Sequence, residues 1–445
     1  MAPNKESNAS TTSDETKPDA NQSTFTIKKP KKEVDFSKEV EEQIEKSRSL
    51  LAQSGKANLK EALDGLMVWE KKTRLGEDFE STGKVVVEIV KLCGSYGEWS
   101  SLNEYITMIA KKRSQSKQAI TKMVQAAMEL LDKTPTRETK IEYINTLRKV
   151  TEGKIYVEVE RARLVRTLAK MKEEDGEVAE AAKLMQDVQI ETVGSMEAKE
   201  KIDFILEQMR LTLDAHDFVR AIIISRKITA RSLLDKEHQE LKVRYYNLLI
   251  RYYTEKKDYL EICKAHQAIY NTPIVQDNTA LWVEQLQHMA LFIVLSKYGN
   301  EQSDLIHKIY SDKKFDEAPM VVFKALLKQF TSTQIINWPE FQQVFGQSLS
   351  QHAVFSTHKE RLEDLHNRVI EHNLRIIAKY YTRIHIRRLA KLLYLEEVKT
   401  EKFISDMVTS KTIIAKIDRI DGVIEFKEHT GEDNEVLNNW GHDIQ

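Results

Sequence analysis

Several residue groups in this 445-residue chain could do chemistry, and their spacing decides whether they could act together. The segment Gly76-Glu-Asp-Phe-Glu-Ser-Thr-Gly83-Lys84-Val85 superficially resembles a phosphate-binding loop. Such a loop needs four residues between its glycines and a Ser or Thr after the lysine to hold magnesium. Six residues intervene here, Val85 takes the hydroxyl's place, and no apolar strand precedes the segment, so it reads as an inter-helix loop. Of twelve histidines, His352, His358, His366 and His372 fall within 21 residues. They form no HExxH or HxH pattern, and six residues put His366 and His372 on different sides of a helix. His266 and Cys263 share an apolar stripe, where a packed histidine and a buried, inert thiol are expected. Cys93 and Cys263, the two cysteines, are 170 positions apart, which suggests a reducing compartment and neither a disulfide framework nor a zinc site. No GxSxG elbow, catalytic Cys–His signature or paired carboxylates are present. The expectation is no catalytic residue, no cofactor-binding residue, no cofactor and no metal ligand.

Composition points to the elements that must position whatever the chain does. There are 14 glycines and 7 prolines, less than half of ordinary usage, and 31% of residues are charged. Sandwiches, barrels and doubly wound sheets need turn residues that this chain lacks. Long helices with Glu, Lys and Arg on their outer faces fit both figures. With 68 Lys plus Arg against 69 Asp plus Glu, the net charge of −1 gives no global basic surplus for gripping nucleic acid. The longest apolar run, Met289 to Leu295, is far short of the roughly 20 residues of a membrane-spanning helix. Residues 1–37 read as a disordered polar tail ending near the basic run Lys28–Lys32, either a nuclear-import signal or a solvated linker. The N-terminus is too polar for a signal peptide, so an intracellular, soluble protein is expected.

From residue 38 a repeat emerges. An acid precedes a bulky apolar residue, and positions at +3, +4, +7 and +10 face one way. The four copies begin at Glu98-Trp99, Glu177-Val178, Asp217-Phe218 and Asp258-Tyr259, spaced 79, 40 and 41 residues apart. A degraded copy is placed near Ile141, Ile144 and Leu147. An acid in a helix's first turn complements its dipole, and an amphipathic stretch precedes each start. Each unit is then a helical hairpin of about 40 residues that must stack on its neighbours, giving a mostly α, right-handed solenoid of TPR-like hairpins.

After residue 355 the pattern changes. A long amphipathic helix through Leu362, Val369, Ile370, Leu374, Ile377 and Tyr381 precedes two short helices, Ile384–Leu393 and Lys399–Thr409. Two β-rich runs, Thr412–Ile420 and Val423–Lys427, meet at Asp421-Gly422, a strong signal for a type I′ hairpin. This order is that of a winged helix. A DNA reader needs a basic second helix, and Lys399, Glu401, Lys402, Ser405 and Asp406 are balanced. Only the first helix is clearly basic, through Arg383, Arg387, Arg388 and Lys391. Protein contact is favoured over DNA, through that basic face and through the wing at Ile417 and Arg419, whose outer strand has an unpaired edge.

A helical solenoid ending in a winged helix resembles the PCI-domain family, shared by the proteasome lid, the COP9 signalosome and translation initiation factor 3. The stretches Val150–Arg163, Val193–Met196, Phe204–Met209, Asn300–Lys308 and Arg368–Arg375 look like a PCI subunit of the proteasome lid. The resemblance implies a non-catalytic scaffold in the cytoplasm and nucleus. Winged helices of several PCI subunits would associate side by side, while their solenoids reach the ATPase ring and core particle. The assembly would position the lid's zinc-dependent deubiquitinase in ubiquitin-dependent degradation. A signalosome PCI subunit and an RNA-associated PCI subunit of a translation initiation complex are the alternatives. The expected organisation is a solenoid over 38–275 and a PCI domain over 276–430, divided into a helical part 276–358 and a winged helix 359–430. Residues 431–445 look like the start of a C-terminal helix with Val436, Leu437 and Trp440 on its apolar side. It is expected to be cut short, so that this form enters the lid less well.

Overall fold

A computed structural model describes residues 36–54, 58–426 and Trp440. The basic run Lys28–Lys32, Val436 and Leu437 lie outside the described residues. Among the described residues, twenty-one α-helices precede or flank three short strands. The fold is a helical solenoid followed by a winged helix, as the hairpin repeat and the order of the C-terminal elements predict. Two compact units divide between Val150 and Thr151.

The repeat starts are all first residues of helices: Trp99–Lys111, Val178–Gln186, Phe218–Ser225 and Tyr259–Tyr270. The preceding helix ends each time on a left-handed residue, namely Gly97, Gly176, His216 or Lys257. The acid that follows donates its backbone N–H five residues back, Glu98 to Cys93, Glu177 to Lys172, Asp217 to Thr212 and Asp258 to Tyr253, at 3.0–3.1 Å. One residue thus closes a helix and caps the next. The acid sits at the N-cap rather than in the first turn, and the carboxylates of Asp217 and Asp258 accept from the N–H groups of Arg220 and Glu261.

A fifth such turn corrects the loop expected over 76–85. Glu77 is left-handed, the Asp78 N–H bonds the Thr73 carbonyl at 3.0 Å, and Asp78 caps the helix Phe79–Ser95. Gly83 and Lys84 are therefore helical. A Cβ on Gly83 would come 3.0 Å from the Lys122 side chain, which packs over this turn of the helix. The degraded copy is real as a helix, Arg137–Thr151, which buries Ile144 and Leu147 but follows a 3-10 turn, Leu131–Lys133, in place of the acid-capped one.

In the second unit, charges join the first helices of three hairpins, Glu158–Glu174, Ala198–Asp214 and Gln239–Lys256. Arg163 reaches Glu200 at 2.8 Å, and Asp203 receives Arg166 at 2.6 Å and Arg244 at 2.7 Å. Arg210 makes two 2.7 Å bonds to Glu173 and one of 2.9 Å to Asp214, which also takes Arg251 at 2.7 Å. Isolated surface pairs contribute little, but these share partners and form a network along the stack.

The helix Glu360–Tyr380 belongs to two cores. Its Leu365 and Val369 pack into the cluster formed by Ile262, Phe292, Leu326, Phe341 and Phe355, so the last repeat hairpin and the following helices share one interior. Its Ile370, Leu374 and Ile377 begin the winged-helix core with Leu389, Ile404, Met407 and Ile424. Polar contacts fix the same helix along its length. Tyr259 donates to Asp364 at 2.5 Å, and Arg361 donates to the Val354 carbonyl at 2.8 Å with its guanidinium over the Phe292 ring. The Asn373 amide accepts from the Ile336 N–H at 2.8 Å and donates to the Ile336 carbonyl at 2.9 Å, fully buried.

The winged helix departs from expectation in two respects. Arg383–His385 is a strand, β1, and the first short helix runs only Ile386–Leu393; the second is Glu397–Thr409. Strands β2 (Ala415–Asp418) and β3 (Val423–Phe426) form the expected hairpin, but β1 pairs β3 antiparallel, so the sheet has three strands in the order β1-β3-β2. Asp418 opposes Val423, leaving a four-residue loop in which Gly422 alone is left-handed. A type I′ turn would need two such residues. The Asp418 carboxylate organises the loop instead, accepting from the N–H groups of Ile420 at 3.0 Å and Asp421 at 3.3 Å.

Replacing Asn373 by Ala would strand a buried N–H and carbonyl of Ile336. We expect a loss of about 1–3 kcal/mol in denaturant unfolding. An unchanged midpoint would contradict the bridging role.

Candidate interaction surfaces

The basic surface expected on the first short helix is present. Leu389, Ala390 and Leu393 face the winged-helix core, and Arg387, Arg388 and Lys391 point to solvent. Arg383 precedes them on β1, where the register sets it opposite Glu425, and its guanidinium meets that carboxylate at 3.0 Å. Arg387 is 3.5 Å from Glu397 on the next helix. Neither Arg388 nor Lys391 meets a carboxylate among the described residues.

The wing presents a different surface. Arg419 leaves the hairpin loop and bonds Glu401 at 2.7 Å, tying the wing to the second short helix. Ile417 is half-buried beside Ile424 and packs on the domain's own core, so it offers a partner only part of its side chain. Two exposed apolar residues that pattern reading missed flank the Arg419–Glu401 pair: Ile420 at the loop, 96% exposed, and Val398, 80% exposed. A turn signal drew attention to the Asp-Gly dipeptide and away from the isoleucine preceding it. Neutralised charge with bare aliphatic flanks suits a protein surface better than phosphates. Trp440 is helical and exposed.

Comparison with known proteins places these surfaces in a family. Residues 61–278 match the family model described as PSMD12/CSN4, N-terminal, and residues 327–428 match the PCI domain. The 26S proteasome non-ATPase regulatory subunit 12 of Dictyostelium discoideum is 41% identical over 94% of this chain and 92% of its own length. The chain belongs to the proteasome non-ATPase regulatory subunit 12 family. Homolog A of that subunit in Arabidopsis thaliana is 42% identical over 89% of this chain and 94% of its own. The 26S proteasome regulatory subunit RPN5 of Saccharomyces cerevisiae is 40% identical over 93% of each. All three are named as proteasome regulatory subunits, and the first two as non-ATPase subunits.

Within this family member His266, His288, His352, His366 and His372 serve as packing. Among the described residues, no three His, Cys, Asp or Glu side chains are arranged to hold a metal ion, and no helix is long and apolar enough to cross a membrane. The His266 and His288 rings are 4.8 Å apart, His288 meets the His352 ring edge-on at 5.5 Å, and His266 stacks on Phe292. His366 stacks on Trp338 at 4.2 Å. Burial pushes His266 down to about 4 against the opposing hydrogen bond from Gln285, and pushes His372 down to about 4. Burial, helped by neighbouring His266, His352 and Arg361, takes His288 to about 3. Both cysteines are buried. Desolvation raises the Cys93 thiol to about 12 and raises Cys263 as well, so neither is a ready nucleophile.

The depressed histidines set a pH dependence. Unfolded, they bind protons near pH 6.5; folded, they stay neutral to much lower pH. Between about pH 6.5 and 4 the unfolded chain holds more protons, so stability is complete above this window and falls as pH drops through it. Denaturant unfolding at pH 7 and pH 5 should show that loss. His288→Phe should reduce the difference, and an undiminished difference would exclude this histidine as its source.

Proposed function

We propose that the chain is a non-catalytic scaffold subunit of the proteasome regulatory-particle lid, acting in ubiquitin-dependent protein degradation in the cytoplasm and nucleus. The observation that supports this reading most strongly is the alignment with named proteasome regulatory subunits over nine-tenths of the chain. In this reading the winged helix associates with other PCI subunits. The stacked hairpins reach toward the ATPase ring and core particle, and the assembly holds the lid deubiquitinase in position. The working segments are a solenoid over 38–275 and a PCI domain over 276–430. Interface roles belong to the face containing Arg383, Arg387, Arg388 and Lys391 and to Ile417, Arg419 and Trp440, to which Ile420 and Val398 are added.

A stacked array of helical hairpins fits a role in spacing and holding partners. Native size in lysate tests the reading. We expect the chain to migrate in a megadalton fraction together with peptidase activity. Migration as a free chain of 51.6 kDa would overturn it.

A further inference from the structure

The helix Ile386–Leu393 breaks a local electrostatic rule. Its sequence, IRRLAKLL, holds three cations and no carboxylate, in a chain whose overall charges are balanced. Arg387 and Arg388 stand in the first turn, where the unsatisfied N–H groups already make the helix end positive and no acid offsets them. Cations there are unfavourable, which is why acids predominate at that position. Five other helices instead carry an acid at the N-cap position, namely Asp78, Glu98, Glu177, Asp217 and Asp258. Local rules that fail without internal compensation tend to mark functional surfaces.

Core packing does not account for the exception. Leu389, Ala390 and Leu393 supply the buried side, whereas the three cations point outward. Helix geometry sets Lys391 three residues from Arg388 and four from Arg387, so all three share one face. Arg387, 83% exposed, has only a loose 3.5 Å contact with Glu397. Arg388 and Lys391 meet no carboxylate among the described residues.

We propose that this face docks an acidic segment, rich in Asp and Glu, of a neighbouring protein subunit. The assignment rests on the scaffold reading and adds the chemistry of one partner to it. Carboxylates from outside would offset the helix dipole as well as the side-chain charges, and Arg387 and Arg388 can each form two-pronged bonds to them. Nucleic acid is the less favoured occupant because the second short helix, which a DNA reader would need basic, sets Glu397, Glu401 and Asp406 against Lys399 and Lys402.

The test uses the full-length tagged chain expressed in cells and recovered with its assembly. Wild type should co-purify with the megadalton peptidase fraction; its absence there would defeat the scaffold reading, and this proposal with it. Arg388→Glu combined with Lys391→Glu should reduce co-purification at least about tenfold, since like charges then face each other. Arg388→Lys combined with Lys391→Arg, which keeps the charge, should stay within about twofold of wild type. Recovery of the reversed-charge variant at the wild-type level would overturn the docking face alone. Equal thermal melting of the isolated variant and wild-type chains is expected, and a destabilised variant would show that the charges serve folding instead. Zero-length carbodiimide coupling of the purified assembly should join Lys391 to an Asp or Glu of another subunit. Coupling to Glu428, Glu432, Asp433 or Glu435 of the same chain, or loss of co-purification on nuclease treatment, would replace the proposed occupant by the chain's own acidic segment or by nucleic acid.

Discussion

The second unit depends on a single helix being buried from both ends. Glu360–Tyr380 gives Leu365 and Val369 to the interior of the last hairpins, and Ile370, Leu374 and Ile377 to the winged helix. Each fully buried aliphatic side chain contributes about 1.5–3 kcal/mol. Neither core can shed this helix without exposing several such residues. The winged helix is therefore an extension of the stacked hairpins rather than a module on a tether. The polar contacts reinforce the arrangement: Tyr259 and Arg361 act on the first half, and Asn373 on the second. A buried amide paired with both polar groups of one peptide also fixes the helix's register, which apolar packing alone leaves loosely defined.

Regular features of this chain were legible because they repeat. An acid before a bulky apolar residue marked four helix starts to the residue, since the acid's backbone N–H closes one helix while the acid stands at the N-cap of the next. The same logic missed Asp78. There Gly76 and Gly83 drew the segment toward a phosphate-loop reading, although Gly83 lies inside the helix with the Lys122 side chain packed over it. Strand β1 was missed for a related reason. Three residues carry too little periodicity to identify a strand, and Arg383–His385 is extended because β3 pairs with it.

The surfaces were less legible than the cores, for a physical reason. Burial imposes a pattern on the sequence, whereas exposure imposes none. The basic face was found because its residues cluster within nine positions. Ile420 and Val398 lie on different elements, each close in sequence to one member of the Arg419–Glu401 pair that ties those elements together. The charge network of the stacked helices was hidden likewise. Its partners Arg163 and Glu200, Arg166 and Asp203, Glu173 and Arg210 stand 37 residues apart, a relation visible only once the hairpin length is known.

The two charged surfaces also differ in how complete they are. Along the hairpins, Arg163, Arg166, Arg210, Arg244 and Arg251 each meet a carboxylate of an adjacent helix. Because adjacent helices satisfy one another, this face gains little by recruiting outside charges, and its contribution is to the alignment of the stack. On the winged helix the balance is not struck internally: cations occupy the positive end of a short helix, with carboxylates only at its margin. Charge that the fold leaves uncompensated retains its long-range field, which can orient an approaching partner before contact. The nearly neutral total of the chain hides this difference, since it averages a self-satisfied stack with a helix that is not.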